Sequence, residues 1–300
     1  AGREGSSGAG AMKRKAVAKQ FSHGIRLSAA KPKAKLSVQS TKRKSLKGTG
    51  AAAAEAASPF PGFARPTAAD VTRLHTVLAR HFGERHPSRS KRPTRQILDT
   101  VVGTILSQNT TNTNSHRAFQ QLKQQFRTWD SVRTARPGPV EAAIKCGGLA
   151  PKKTKWIQHI LKTLQEEHGK TSLEYLRKET KEGVHTQLER FPGIGKKTSA
   201  IINLFDVGHP DMAVDTHVFR YALQLGWAPS DAERAANNKA HPDRHWPVVT
   251  RDSVYEHLDA TFPDKLKFSM HLILTDTVGG LPVHCGAGNE LGFRGQAVTV

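Results

Sequence analysis

Apolar residues fall at steps of three and four along short stretches of this chain, and nowhere do they alternate convincingly. In "TRQILDTVVGTILSQNT" the residues Ile97, Leu98, Val101, Val102, Ile105 and Leu106 make a wide apolar stripe, the mark of a core-facing helix. Val71, Leu74, Val77, Leu78 and Phe82 repeat the spacing behind Thr67, a residue able to cap a helix start. "NSHRAFQQLKQQF", "KTKWIQHILKTLQEEH", "TSAIINLFDV", "DTHVFRYALQLGW" and "RDSVYEHLDATF" supply further helical stretches, parted by Pro- or Gly-bearing runs such as "RPGP" and "CGGLAP". The pattern predicts an all-α fold of many short helices packed at assorted angles, rather than a long up-down bundle.

Both ends escape that pattern. Residues 1–58 are rich in Gly, Ser, Ala and Lys with scarcely an aromatic, too little apolar surface to offset the entropy of ordering, and are expected to be a disordered basic arm. The arm carries 13 of the 46 Lys and Arg residues and only Glu4 and Glu55 of the 25 acids, leaving 33 cations against 23 anions in the rest. Arm and body are therefore both drawn to polyanions. A net charge of +21 favours nucleic acid as partner without choosing an activity. "MKRKAVAK" and "TKRKSLK" suit either nuclear import or DNA tethering. The nucleus is the expected location, and the acid-poor arm leaves a mitochondrial transit peptide open. The stretch 281–300, "LPVHCGAGNELGFRGQAVTV", has scattered glycines and no helical period. An irregular tail is expected there, of the kind a truncated or aberrant C-terminus gives.

Two cysteines, Cys146 and Cys285, cannot build a disulfide framework or a four-thiolate metal site. They fit a reducing intracellular compartment. No run of about 18 apolar residues is present, so no membrane partner is expected, and the first residues lack the apolar block of a secretory signal.

"LERFPGIGKKTSA", residues 188–200, sets two glycines and two adjacent lysines around a proline turn. Pro192 fixes one backbone angle, and Gly193 and Gly195 permit conformations a side chain forbids, so two helices can meet at a tight bend with amides facing outward. Amides at a helix start seat a phosphate, and the lysines strengthen the seat. An ordinary helix–turn–helix connection would look the same in isolation. Asp215, in "AVDTHVFR", follows Lys197 by 18 residues at an expected helix start. It can cap that helix and still face the turn. A lysine and a carboxylate in one cleft can serve as nucleophile and electrostatic partner.

"LERFPGIGKKTSAIINLF" followed at this distance by "AVDTHVFR" resembles the helix-hairpin-helix DNA glycosylases of the endonuclease III superfamily. "ILSQNTTNTNSHRAF" resembles the stretch with which they enter DNA at the damaged base. The resemblance runs from about Thr67 to Leu274 and implies two helical subdomains flanking a DNA-binding cleft, in a domain spanning 59–280. It implies Lys197 as the catalytic lysine and Asp215 as the essential aspartate. Base removal would proceed through a lysine Schiff base with abasic-site lyase activity, on double-stranded DNA bearing a damaged or modified base, by a monomer. A free lysine titrates near about 10.4, so Lys197 needs partial desolvation and nearby cations such as Lys196 to become a neutral nucleophile.

The resemblance also makes Gln108 the residue that fills the stack vacated by the flipped nucleotide, with Asn109 as polar support. Gly193, Gly195, Lys196 and Thr198 would meet the DNA backbone, and "GGLAPKKTKWIQHI" resembles a second phosphate-contacting turn with Lys152 and Lys153. A solvated basic helix start would read the same way. His217 is expected to bond locally and Trp227 to pack in the core. "HPDRHW" has no companion Cys or carboxylate cluster, so no metal is assigned there. Many members of the superfamily hold a [4Fe–4S] cluster on four cysteines after a stretch resembling "FSMHLIL". This chain offers Cys285 alone, so no cofactor is expected. Two alternatives stay open: an inactive helix-hairpin-helix DNA-binding protein, and a glycosylase for mismatches or 5-methylcytosine.

Overall fold

Thr67 starts the first helix where the apolar spacing placed it. Its Oγ1 accepts from the Asp70 amide while the Asp70 carboxylate takes the Thr67 amide, a reciprocal box that satisfies two otherwise orphaned donors. The structure, a computed structural model, describes residues 58–85 and 96–276 and the backbone of three strands between 283 and 299. The arm expected over 1–58 thus lies outside the described residues, Ser58 excepted. Described residues belong to one compact unit, Leu46–Val300.

Helices follow in the order α1 (Ala68–Phe82), α2 (Ile97–Ser107), α3 (Asn112–Gln125), α4 (Trp129–Thr134), α5 (Pro137–Ile144), α6 (Ala150–His168), α7 (Lys181–Glu189), α8 (Lys196–Ile201), α9 (Thr216–Gln224), α10 (Asp231–Ala240), α11 (Arg251–Thr261) and α12 (Asp264–Asp276). α8 runs directly into a π-helical stretch, Ile202–Val207. None of the described helices is long and apolar enough to cross a membrane.

Two cores form. The stripe of α2 packs with Ala118 and Leu122 of α3, Ile157, Ile160 and Leu164 of α6, and Val184 and Leu188 of α7. Val71, Leu74 and Leu78 of α1 pack instead with Val218 and Tyr221 of α9, Val254 and Leu258 of α11, and Met270 and Ile273 of α12. Trp227 belongs to this second core, edge-on to Phe262, as its sequence setting suggested. α8 joins the two, because Ile194 before it and Ile202 after it enter the first core while Ala200 enters the second.

Several elements differ from the sequence expectation. "RPGP" and "CGGLAP" read as separators, yet Pro137 opens α5 and Pro151 lies in the first turn of α6, where a missing N–H breaks no helical bond. α10 begins at a capping box of Ser230 with Glu233, a signal present in "SDAE". In place of an irregular tail, β1 (Val283–Gly286), β2 (Glu290–Phe293) and β3 (Gln296–Thr299) form an antiparallel meander. Its register pairs Val283 with Phe293 and Glu290 with Thr299. Strands of four residues interrupted by glycines show no measurable alternation, which hid them.

Candidate active site

The hairpin between α7 and α8 is built on apolar anchors. Phe191 and Ile194 bury into the first core on either side of Pro192 and Gly193, and the Ile194 amide closes the bend on the Phe191 carbonyl at 3.2 Å. Gly193 has φ of +86°, and a Cβ there would stand 2.5 Å from Cε3 of Trp156. Both the left-handed backbone and the indole packed against it demand glycine. Gly195 caps α8, its carbonyl accepting the Thr198 and Ser199 amides at 2.9 and 3.2 Å. The space beside its Cα is open. Among the described residues the amides of Gly195 and Lys196 have no acceptor, so they are free for an external anion.

Lys197 lies on α8 at the seam between the two cores. Its ammonium makes no hydrogen bond or ion pair among the described residues. Burial pushes its pKa below the ordinary 10.5, Asp215 pulls it upward, and Arg251 pushes it further down. The net direction is down, toward a neutral amine. Asp215 is the N-cap of α9, its Oδ1 accepting the His217 and Val218 amides at 2.9 Å each. Those bonds fix the carboxylate and leave Oδ2 without a partner among the described residues. The local role foreseen for His217 is therefore carried by its backbone.

Other predicted residues divide. Lys196 is ion-paired with Glu256 and sits over the Tyr255 ring. The cation acting on Lys197 is thus Arg251, which sequence reasoning missed because it lies 54 positions away on α11. Gln108 caps the end of α2, and its Nε2 donates to the Gly193 carbonyl at 2.7 Å, bringing the expected DNA-entering residue against the hairpin turn. Asn109 is exposed with φ of 52°. Lys152 is exposed, its ammonium 4.8 Å from the Trp156 ring centre.

Two residues assigned to DNA contact are buried. Lys153 is 0% exposed and its Nζ donates to the carbonyls of Leu106 and Gly147, both at 2.8 Å. A side chain so committed reaches no phosphate. Thr198 is 4% exposed and its amide is spent on the Gly195 carbonyl, which leaves little of it for an external partner. One residue went unnoticed: Leu149 is 48% exposed with φ of 52°, and the Asn109 carbonyl lies 4.0 Å from where a Cβ on neighbouring Gly148 would be. Its sequence signal is an apolar residue directly after a glycine pair and before a helix start.

A buried polar network braces the site from behind. His185 of α7 bonds through Nε2 to Asp211 Oδ2 at 2.7 Å and through Nδ1 to Glu189 at 2.6 Å. Asp211 is 0% exposed and also accepts from Tyr255 of α11 at 2.9 Å and Asn203 of the π-helical stretch at 2.8 Å. It stands four residues before Asp215. The hairpin, the segment leading to Asp215 and the helix bearing Arg251 are therefore tied at one point.

No group of three or more metal-ligating side chains occurs among the described residues. An iron–sulfur cubane requires four thiolates, whereas the chain has two cysteines. Cys146 sits in a turn with Sγ 3.2 Å from Gln121 Oε1. The donor set does not fit the cluster.

Residues 102–242 match the family described as HhH-GPD superfamily base excision DNA repair protein. A candidate DNA glycosylase of Arabidopsis thaliana, At3g47830, is 44% identical over 178 residues, covering 59% of this chain and 55% of that relative. The chain thus spans little more than half the length of that protein. Endonuclease III of Thermotoga maritima is 31% identical over 181 residues, covering 59% of this chain and 79% of its own. A solved non-covalent endonuclease III–DNA complex superposes with a TM-score of 0.55 at 20% identity, covering 74% of this chain and 89% of that one, which carries the fold. With a hairpin-borne lysine, a helix-capping aspartate and a relative matched over most of its length, the chain belongs to the helix-hairpin-helix base excision DNA repair superfamily that includes endonuclease III.

Proposed function

We propose that this protein is a DNA glycosylase with abasic-site lyase activity, acting on a damaged or modified base in duplex DNA. The observation that carries this reading is the Lys197 amine: half-buried, without a hydrogen bond or ion pair among the described residues and shifted toward neutrality, within the field of a carboxylate immobilised on a helix start. A helix that only gripped DNA backbone would gain nothing from sinking a lysine into the seam, where its charge is penalised.

The chemistry follows. The target nucleotide leaves the stack, at a cost of a few kcal/mol that a lesion lowers. Gln108 enters the gap, and Leu149 supports it as an apolar wedge whose exposure and left-handed backbone otherwise cost energy without return. The free amides at Gly195 and Lys196 and the Lys152 ammonium hold phosphates. The lone pair of neutral Lys197 Nζ attacks C1′ while the glycosidic bond breaks and its electron pair leaves with the base. Asp215 stabilises the positive charge developing on the sugar and takes the proton released by nitrogen. Ring opening gives a Schiff base, which acidifies C2′. Loss of that proton expels the 3′ phosphate by β-elimination, and water releases the lysine.

Borohydride trapping tests this on duplexes bearing thymine glycol, 8-oxoguanine opposite cytosine, 5-methylcytosine or a plain abasic site. The parent should form a covalent adduct on at least the abasic duplex, and Lys197→Gln should form none. A parent that binds every duplex but traps and cleaves none is an inactive binder, and the reading fails.

A further inference from the structure

We infer that Lys153 is a positioning residue, a buried staple that ties the end of α2 to the Gly147–Gly148 turn and so holds the Gln108–Asn109 and Leu149 prongs at one spacing. The inference rests on the proposed function, which makes those prongs the parts that enter DNA.

The geometry is specific. Nζ of Lys153 bridges the carbonyls of Leu106 and Gly147 at 2.8 Å each. Leu106 stands two residues before Gln108, and Gly147 two before Leu149. One cation thus grips the root of each prong. The Leu106 carbonyl lies in the last turn of α2, where helical acceptors have no partner of their own and a positive charge is favoured. Beyond each root the chain enters the left-handed region at a residue with a side chain, Asn109 and Leu149 both at φ of 52°. Strain of that kind persists only where the surroundings enforce it.

Stability does not account for a lysine here. A fully buried ammonium facing only neutral carbonyls carries a desolvation penalty, and burial does push its pKa down. A methionine would fill much the same volume without that penalty. What methionine cannot do is donate to both roots, and this separates positioning from packing.

The test uses the full 300-residue chain on duplex DNA with a tetrahydrofuran abasic analogue next to 2-aminopurine, whose fluorescence rises when its stacking partner is displaced. No bond is broken, so the readout is independent of Lys197. Lys153→Met should keep parental helicity and bind the duplex, yet lose about tenfold of the 2-aminopurine response, the scale expected when a small displacement spoils alignment. Lys153→Arg, which can still donate to both carbonyls, should restore most of it. Hydrogen exchange over residues 105–110 and 146–150 should accelerate in both segments together in the methionine variant only. An undiminished 2-aminopurine response in Lys153→Met overturns the assignment, and so does loss of its helicity, which would make Lys153 a folding residue. Failure of the parent to trap borohydride defeats the proposed chemistry and leaves this fluorescence comparison standing.

Discussion

Arg251 is the first residue of α11, where the helix dipole disfavours a cation, and it has no ion-pair partner among the described residues. Its effect is felt on Lys197, whose ammonium it destabilises alongside burial and against Asp215. Removing it should let the Lys197 pKa climb back. Arg251→Met should therefore shift the acid limb of the trapping-rate profile to higher pH, leaving the alkaline plateau close to parental. An unmoved limb would remove Arg251 from the electrostatics of the amine. At the bend itself, Gly193→Ala should lose roughly 1–3 kcal/mol in urea unfolding, the cost of enforcing a rare backbone conformation on a residue with a side chain. Trp156→Ala made in the same chain should recover the part due to the 2.5 Å contact and none of that due to φ. Full recovery would show the backbone angle to be unstrained.

Among elements, the tie between α7, α11 and the segment before Asp215 has a calculable pH dependence. Burial opposes the charged form of His185, but its bonds to Asp211 and Glu189 outweigh this and raise its pKa above 6.5. A raised folded value stabilises the fold fully below 6.5, and the contribution fades as pH climbs through the folded pKa. Asp211 runs the other way: burial is outweighed by His185 and Lys181, and its pKa falls below 3.8. Its contribution is complete above 3.8 and fades as pH drops through the depressed value. The stability gap between parent and His185→Gln should therefore be widest between about pH 4 and 6.5, near 3 kcal/mol for a buried pair deprived of one partner, and narrow at higher pH. A gap independent of pH would mean that His185 stays neutral. The sequence disclosed the hairpin, because glycines, a proline and flanking apolar steps are local signals. Motif and spacing likewise singled out Lys197 and Asp215 as the candidate pair. It did not disclose this tie, whose members come from positions 185, 203, 211 and 255 and meet only after folding. Lys153 misled for the same reason: beside Lys152 and Lys155 it reads as solvated, and only the arrival of α2 and the Gly147 turn gives its ammonium two buried acceptors.

For the whole molecule, charge and catalysis are separable. The seam holding Lys197 and Asp215 lies wholly within the described residues, whereas residues 1–45 carry 12 cations and one anion. Removing them lowers the formal charge from +21 to +10 and touches no atom of the candidate site. Each phosphate neutralised by a cation releases counterions, steepening the fall of log affinity with log salt by about 0.9 for duplex DNA. A chain beginning at Leu46 should therefore bind more weakly at low salt with a shallower slope, and the two chains should converge as salt rises. Single-turnover trapping at saturating enzyme should be unchanged, because the helices that carry the amine and its carboxylate pack into the two cores of the described residues. Equal slopes would mean that the arm makes no phosphate contact, leaving steering to the +10 body. A fall in the saturating trapping rate would instead place part of the arm inside the working site.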